Sequence, residues 1–183
     1  MTEAGAREVP VWDPLVRVVH WSQAALIVAA WLTADAWKWL HERFGYVVAA
    51  LVALRVLWGF VGSRHARFAD FVRGPRAVVA YLGALARGSA PRMLGHNPAG
   101  GAMIVALLAT VAATTFTGWL QTTDAFFGSS RLEAMHDALA NLILALAAVH
   151  VGGVIFESWR HRESLVGAML TGRKRGPDTS GGA

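Results

Sequence analysis

Residues 132–159 read LEAMHDALANLILALAAVHVGGVIFESW, with His136 and His150 standing 14 residues apart. At 3.6 residues per turn that spacing is just under four turns. Both imidazoles therefore leave one face of a helix, roughly 21 Å apart along its axis. The apolar run is long enough to cross a bilayer, which takes about 20 residues. An imidazole in hydrocarbon is costly unless it is paired or ligates something. Two on one stripe, near opposite ends of a span, predict a bound group at each end.

The rest of the chain has the same character. It has 183 residues, of which 55% are hydrophobic and only 16% charged, with a mean hydropathy of +0.41. A soluble domain carries closer to a quarter charged residues, so this is the composition of an integral membrane protein. There is no cysteine, which excludes disulfides, iron–sulfur clusters, thiolate zinc sites and covalent haem attachment through C-x-x-C-H. A metal or haem must then rest on histidine, methionine or carboxylate. The net charge of +5 is segregated by loop, which points to membrane orientation rather than nucleic acid.

Four segments are predicted to cross the membrane as helices: about 14–34, 40–62, 99–122 and 132–159. Only helices or closed barrels satisfy backbone groups in lipid, and continuous apolar runs of this length select helices. The predicted fold is an all-α membrane protein, one four-helix transmembrane bundle over residues 1–172. The polar N-terminus, MTEAGAREVPVWDP, does not read as a cleavable signal peptide, so the first span is expected to stay in the mature protein. The charged, Gly/Ser-rich tail 173–183 is expected to be disordered. Between spans two and three, Pro75 to Arg87 has helical periodicity and flanking arginines, as an interfacial amphipathic helix does. A helix that merely covers the bundle end would read the same way.

Lysine and arginine set the orientation. The N-terminus, the 63–98 interval and the C-terminus hold 13 of the 17, among them Arg64, Arg67, Arg73, Arg76, Arg87 and Arg92. The opposite loops hold only Lys38, Arg43 and Arg131, and Arg55 lies within span two. By the positive-inside tendency both termini are cytoplasmic. Trp12, Trp21, Trp58 and Trp159 then fall near one interface and Trp31, Trp37, Trp39 and Trp119 near the other, as aromatic belts do.

This topology gives the histidines depths. His20 opens span one and His150 closes span four on the cytoplasmic side, while His41 and His136 open spans two and four on the outer side. Pairs at two depths, His20 with His150 and His41 with His136, are what two stacked bis-histidine haems need. Small residues suit the close approach of a macrocycle: Gly45, Ala140, Gly152 and Gly153 lie near the four histidines. Asp137 and Asn141 are expected to orient the outer imidazoles through their second nitrogen. Arg55 is again 14 residues from His41. It either meets a propionate of the inner haem or snorkels to the headgroups. His65 and His161 sit among charges and read as interfacial. His96, in GHNPAGG, reads as loop-borne and no ligand, though with Asn97 it could line a substrate site.

At these residues the chain resembles the prokaryotic cytochrome b561 family, which includes the b-type cytochrome subunits of nickel–iron hydrogenases. The stretches that carry the resemblance are VWDPLVRVVHWS (11–22), LHERFGYVVAALVALRVLWGFVG (40–62), FADFVRGPRAVVAYL (68–82), LGHNPAGGAM (94–103) and MHDALANLILALAAVHVGGVIFESWRHRESLVGAMLTGRKR (135–175). The resemblance implies a protein of the bacterial inner membrane with two haem b groups, their axial ligands carried by His20, His41, His136 and His150.

Three functions are open on this reading. The first is transmembrane electron transfer between a periplasmic partner and the quinone pool. The mildly acidic outer face (Asp35, Glu42, Asp124, Glu133 and Asp137 against Lys38, Arg43 and Arg131) could steer a basic cytochrome c. The second is a membrane anchor carrying electrons for a hydrogenase or other dehydrogenase subunit. Isolation as a homodimer would favour the first, co-purification with a large periplasmic subunit the second. The third is a proton or metal transporter using the histidines as a relay. It wants acidic partners within the spans, whose interiors hold almost none.

Overall fold

The computed structural model describes residues 7–176, and seven α-helices carry the chain among them. Four are long and apolar enough to cross a membrane: α1 (Pro14–Thr33), α2 (Lys38–Val61), α5 (Pro98–Gln121) and α6 (Ser130–His161). Their ends lie within two residues of the boundaries read from the sequence. Between α2 and α5 come a short 3-10 turn (Arg64–Ala66), α3 (Phe68–Phe71) and α4 (Pro75–Ala86); α7 (Leu165–Thr171) follows α6.

Three of the four long helices, α1, α5 and α6, start where a polar side chain satisfies a free backbone N–H. Asp13 Oδ1 accepts from Val16 N at 2.9 Å, with Pro14 in the first turn. Asn97 Oδ1 accepts from Gly100 N at 2.7 Å, with Pro98 in the first turn. Ser129 caps α6 in the same way. At its other end α6 stops at Arg162, a non-glycine residue in the left-handed region (φ 48°), and this turns the chain back towards α7.

Packing runs in the order α1–α2–α5–α6, and α6 does not pack extensively along either α1 or α2. The four helices meet at mid-height. There Val48 and Val52 of α2, Val111 of α5 and Ile143 of α6 form a buried layer, with Leu26, Ile27, Val56 and Leu108 against it. Large apolar side chains such as Val18, Val28, Leu57, Phe60 and Ile155 are turned outward and exposed, as a lipid-facing surface requires.

The end that bears both termini, the basic end, is closed by the intervening segments. α4 lies against α5, burying Tyr81 while Val79 and Leu82 stay exposed. The aromatic rings of α3 press into the spans where a side chain is missing. A Cβ on Gly59 would collide with the Phe68 ring, and one on Gly101 would come within 2.5 Å of the Phe71 carbonyl oxygen. Asp13 ties the start of α1 to the end of α2. Its Oδ2 accepts from Trp58 Nε1 at 3.0 Å and from Ser63 Oγ at 2.5 Å.

The C-terminal segment corrects one expectation. Residues 173–183 read as a disordered tail, but Arg173–Arg175 form a strand, β2, antiparallel to β1 (Glu8–Pro10), with Val9 opposite Lys174. Composition alone misses this because the segment is pinned by charge and backbone hydrogen bonds rather than by apolar area. Arg175 N donates to Glu163 Oε1 at 2.6 Å, Arg92 Nη2 donates to Glu163 Oε2 at 2.8 Å and to the Arg175 carbonyl at 2.6 Å, and the buried Lys174 ammonium donates to the Met93 carbonyl at 3.2 Å. Residues 177–183 lie outside the described residues.

Two outcomes follow from these ties. Asp13→Ala removes the cap of α1 and the acceptor for Trp58, so it is expected to cost about 1–3 kcal/mol and lower the thermal midpoint of the detergent-solubilised protein. Asp13→Asn keeps the cap acceptor and is expected to recover part of the loss; equal midpoints for Ala and wild type would contradict the tie. At Glu163, burial raises the carboxyl pKa, but hydrogen bonds from Arg92 and Arg175 outweigh it and hold the pKa below the usual value. A depressed carboxylate stabilises the fold above its unfolded pKa, and that contribution is lost as pH falls through the folded value. Wild type is therefore expected to lose midpoint on acidification below about pH 4.5 more steeply than Glu163→Gln, as thermal scans at a series of pH values would measure.

Candidate functional site

Each predicted histidine pair meets in space. His41 of α2 faces His136 of α6 with ring centroids 6.0 Å apart, and His20 of α1 faces His150 of α6 at 6.2 Å. A first-row metal binds an imidazole nitrogen at about 2.0–2.1 Å, and the ring centroid lies about 1.1 Å behind it, so two imidazoles trans across one metal have centroids roughly 6.3 Å apart. Both pairs stand at that separation, one on each side of the Val48–Val52–Val111–Ile143 layer. They span the gap where α6 stands off from α1 and α2.

The second nitrogens show which atoms are free to bind. His41 Nδ1 lies 2.8 Å from the Ala30 carbonyl, and His136 Nδ1 lies 3.0 Å from the Thr114 carbonyl and 3.1 Å from Thr117 Oγ1. A backbone carbonyl only accepts, so it fixes the proton on Nδ1 and leaves the Nε2 lone pair free to bind. Asp137 and Asn141, expected to orient the outer imidazoles, do not make these contacts. Both follow or flank His136 on α6 itself, whereas the carbonyls come from α1 and α5, the helices that pack beside the rings. Among the described residues His20 and His150 have no equivalent hydrogen bond; Trp21 lies edge-on to His20 at 5.2 Å.

Sequence reasoning missed Thr114 and Thr117. The signal was there: α5 carries Thr110, Thr114 and Thr117 at helical spacing, all buried, and such a polar stripe in a span needs a partner. Gly118 was missed too. A Cβ there would stand 3.0 Å from His136 Cε1, so its absence lets the ring lie against α5. Gly45, Gly152 and Gly153 have no atom within 4 Å of where a Cβ would be, and at Gly45 and Gly153 this leaves room beside the ligand stripes for a broad planar group. Among the described residues no three metal-ligating side chains converge. Each imidazole pair thus suits a metal whose other ligands come from a macrocycle, and the donor set fits haem.

Arg55 does not snorkel. It is buried, its guanidinium 5.5 Å from the Phe68 ring and 6.0 Å from the Phe71 ring, and among the described residues Nη1 has no hydrogen-bond partner. An unpartnered buried guanidinium calls for an anion that the protein itself does not supply. His96 lies beside this region, packed between Trp12 (4.5 Å between centroids) and Phe71 (4.9 Å), with Nδ1 buried and unpartnered. Burial first, then the charges of Arg55 and Lys174, push its pKa down to about 3, so the ring is neutral at physiological pH. The other two histidines each face a carboxylate: His65 Nδ1 lies 3.0 Å from Asp70 and His161 Nε2 lies 3.0 Å from Glu157.

Comparisons with known proteins place the chain in a family. A family model described as prokaryotic cytochrome b561 matches residues 11–172. A probable Ni/Fe-hydrogenase B-type cytochrome subunit from Rhodobacter capsulatus is 26% identical, the match covering 90% of this chain and 80% of the relative. A protein of the same description from Bradyrhizobium diazoefficiens is 24% identical, over 93% of this chain and 87% of the relative. No solved structure matches. The family match takes in all four spans and all four facing histidines, and the chain belongs to the prokaryotic cytochrome b561 family.

Proposed function

We propose that this transmembrane b-type cytochrome holds two haems, one between His20 and His150 and one between His41 and His136, and passes electrons across the bacterial inner membrane between a periplasmic redox partner and the quinone pool. The observation that carries this reading is the repeated imidazole separation, 6.2 and 6.0 Å, at two depths of a bundle whose helices otherwise stand apart there. Haem, when bound, supplies a reversible one-electron couple at each depth. The chain's own residues do the rest. His41 and His136 are held by carbonyls of α1 and α5. The apolar layer around Ile143 excludes water between the two depths. Arg55, with its free Nη1, is the residue proposed to receive a propionate of the inner haem.

The distribution of lysine and arginine supports placing the basic end, with both termini, in the cytoplasm. At that end the neutral His96, its Nδ1 unpartnered, is the residue proposed to meet quinone. Asn97 is partly committed, because its Oδ1 caps α5. A second reading is a membrane anchor that carries electrons for a hydrogenase or other dehydrogenase. It is favoured by the description of both relatives as hydrogenase cytochrome subunits. The two readings differ in partner and share their haem chemistry. The relay transporter has less support: acidic groups are almost absent from the span interiors, and no three-ligand cluster exists among the described residues.

Reduced-minus-oxidised absorbance of the purified protein is expected to show b-type haem bands, and a featureless spectrum would overturn the reading. His136→Ala and His150→Ala are each expected to remove one of two haems, measured as haem per protein; full occupancy in either variant would break the ligand pairs. Quinol-driven haem reduction is expected to slow in His96→Ala while reduction by dithionite is unchanged. Co-purification with a large periplasmic subunit would select the anchor reading.

A further inference from the structure

The ligand stripe of α6 does not end at His150. Glu157 lies seven residues further toward the basic end and His161 eleven. Seven residues fall within about 20° of two full turns, and eleven within about 20° of three. The stripe therefore reads His136, Ile143, His150, Glu157, His161, with Glu157 about 10.5 Å beyond the inner ligand along the axis. The two added side chains are 15% and 18% exposed, and His161 Nε2 sits 3.0 Å from Glu157 Oε2.

Tyr81 of α4 donates its hydroxyl to Glu157 Oε1 at 3.2 Å, and burial together with the adjacent carboxylate pushes its pKa up, so it stays a donor. Of the permanent cations nearby, Arg92 and Lys174 are engaged elsewhere, and only Arg160 reaches the pair, as a long ion pair with Glu157. Arg92 pairs with Glu163 at 2.8 Å, Lys174 donates to the Met93 carbonyl, and Arg160 donates through Nη2 to the Ala90 carbonyl, leaving its Nη1 3.9 Å from Glu157. The near partner of Glu157 is thus an imidazole, the side chain type that gains or loses a proton close to neutral pH. Glu157, His161 and Tyr81 line a small cleft of about 50 Å³ whose wall also includes Gly95 and Asn97, the two neighbours of His96.

We propose that Glu157 and His161 form a redox-linked proton site for the inner histidine pair. The pair takes up one proton from the cytoplasmic solution when the inner site gains one electron, and returns it when that electron leaves. No other bond is made or broken. This rests on the reading that His20 and His150 hold a haem. The coupling is electrostatic. An added unit charge roughly 12 Å away, at an effective dielectric of about 20, changes proton affinity about tenfold. A merely structural pair, joining α4 to α6 through Tyr81, would carry no such coupling.

The test is a potentiometric titration of the haem-loaded full chain over a pH series through the imidazole range. The inner component is the one lost in His150→Ala. In wild type the inner midpoint is expected to fall as pH rises, because protons bind the reduced form more tightly, while the outer midpoint stays flat. Glu157→Gln and His161→Gln are expected to flatten the inner slope. Tyr81→Phe, which loosens the α4–α6 contact but leaves the pair intact, keeps it. Glu157→Asp keeps the carboxylate and the slope, and moves a carboxyl band in the reduced-minus-oxidised infrared spectrum that Glu157→Gln abolishes. An inner slope in Glu157→Gln equal to that of wild type, or no inner slope in wild type, overturns the proton site. Absence of haem bands in wild type overturns the ligand reading first and the proton site with it.

Discussion

Four imidazoles placed in hydrocarbon constrain everything else in this bundle. Each is costly there unless its nitrogens are used, and the chain meets that demand by standing α6 away from α1 and α2 and setting the rings across the gap in two pairs. α6 joins the apolar core of the bundle at mid-height, where Val48, Val52, Val111 and Ile143 meet. A bundle packed tightly along its whole length would bury more apolar surface but leave no room for a group between the rings. The open stretches beside Gly45 and Gly153 belong to the same compromise.

The two ends satisfy their histidines differently. At the outer end, backbone carbonyls of Ala30 and Thr114 receive the ring N–H groups, which holds each ring's orientation and raises its basicity as a ligand. At the basic end His20 and His150 have no such bond among the described residues. The polar demand there sits one layer further out, on Arg55, His96, Lys174 and the Glu157–His161 pair. That layer is roofed by α3, α4 and the strand pair, and Gly59 and Gly101 let the roof come close. The outer site is thus set by main chain and the inner one by a ring of ionisable side chains, the arrangement expected if only one end exchanges protons with the solution.

Much of this could be read from the chain. A span shows itself through about 20 apolar residues in a row, and a 14-residue spacing puts two side chains on one face whatever the neighbours do. The four spans, their order, the partnering of His20 with His150 and His41 with His136, and a helix over 75–86 all follow from such local regularities plus connectivity. Resemblance to a known family added the cofactor's identity to a set of residues that depth matching had already selected.

Contacts between distant segments were not legible, because no local pattern encodes them. Asp137 and Asn141 looked like the orienting groups only because they are near in sequence; the carbonyls that serve come from α1 and α5. Arg55 looked free to reach the headgroups until Phe68 and Phe71 were folded over it. The charged segment 173–175 looked disordered by composition, yet Glu163 and the backbone of β1 hold it. His161 read as a surface histidine, although it stands one turn beyond Glu157 on the ligand stripe. The sequence by itself determined which residues share a helix face and a depth, since those depend on rise and period alone. Only the tertiary structure decided which polar atoms meet and which stay unpartnered, because that depends on how helices far apart in the chain pack against one another.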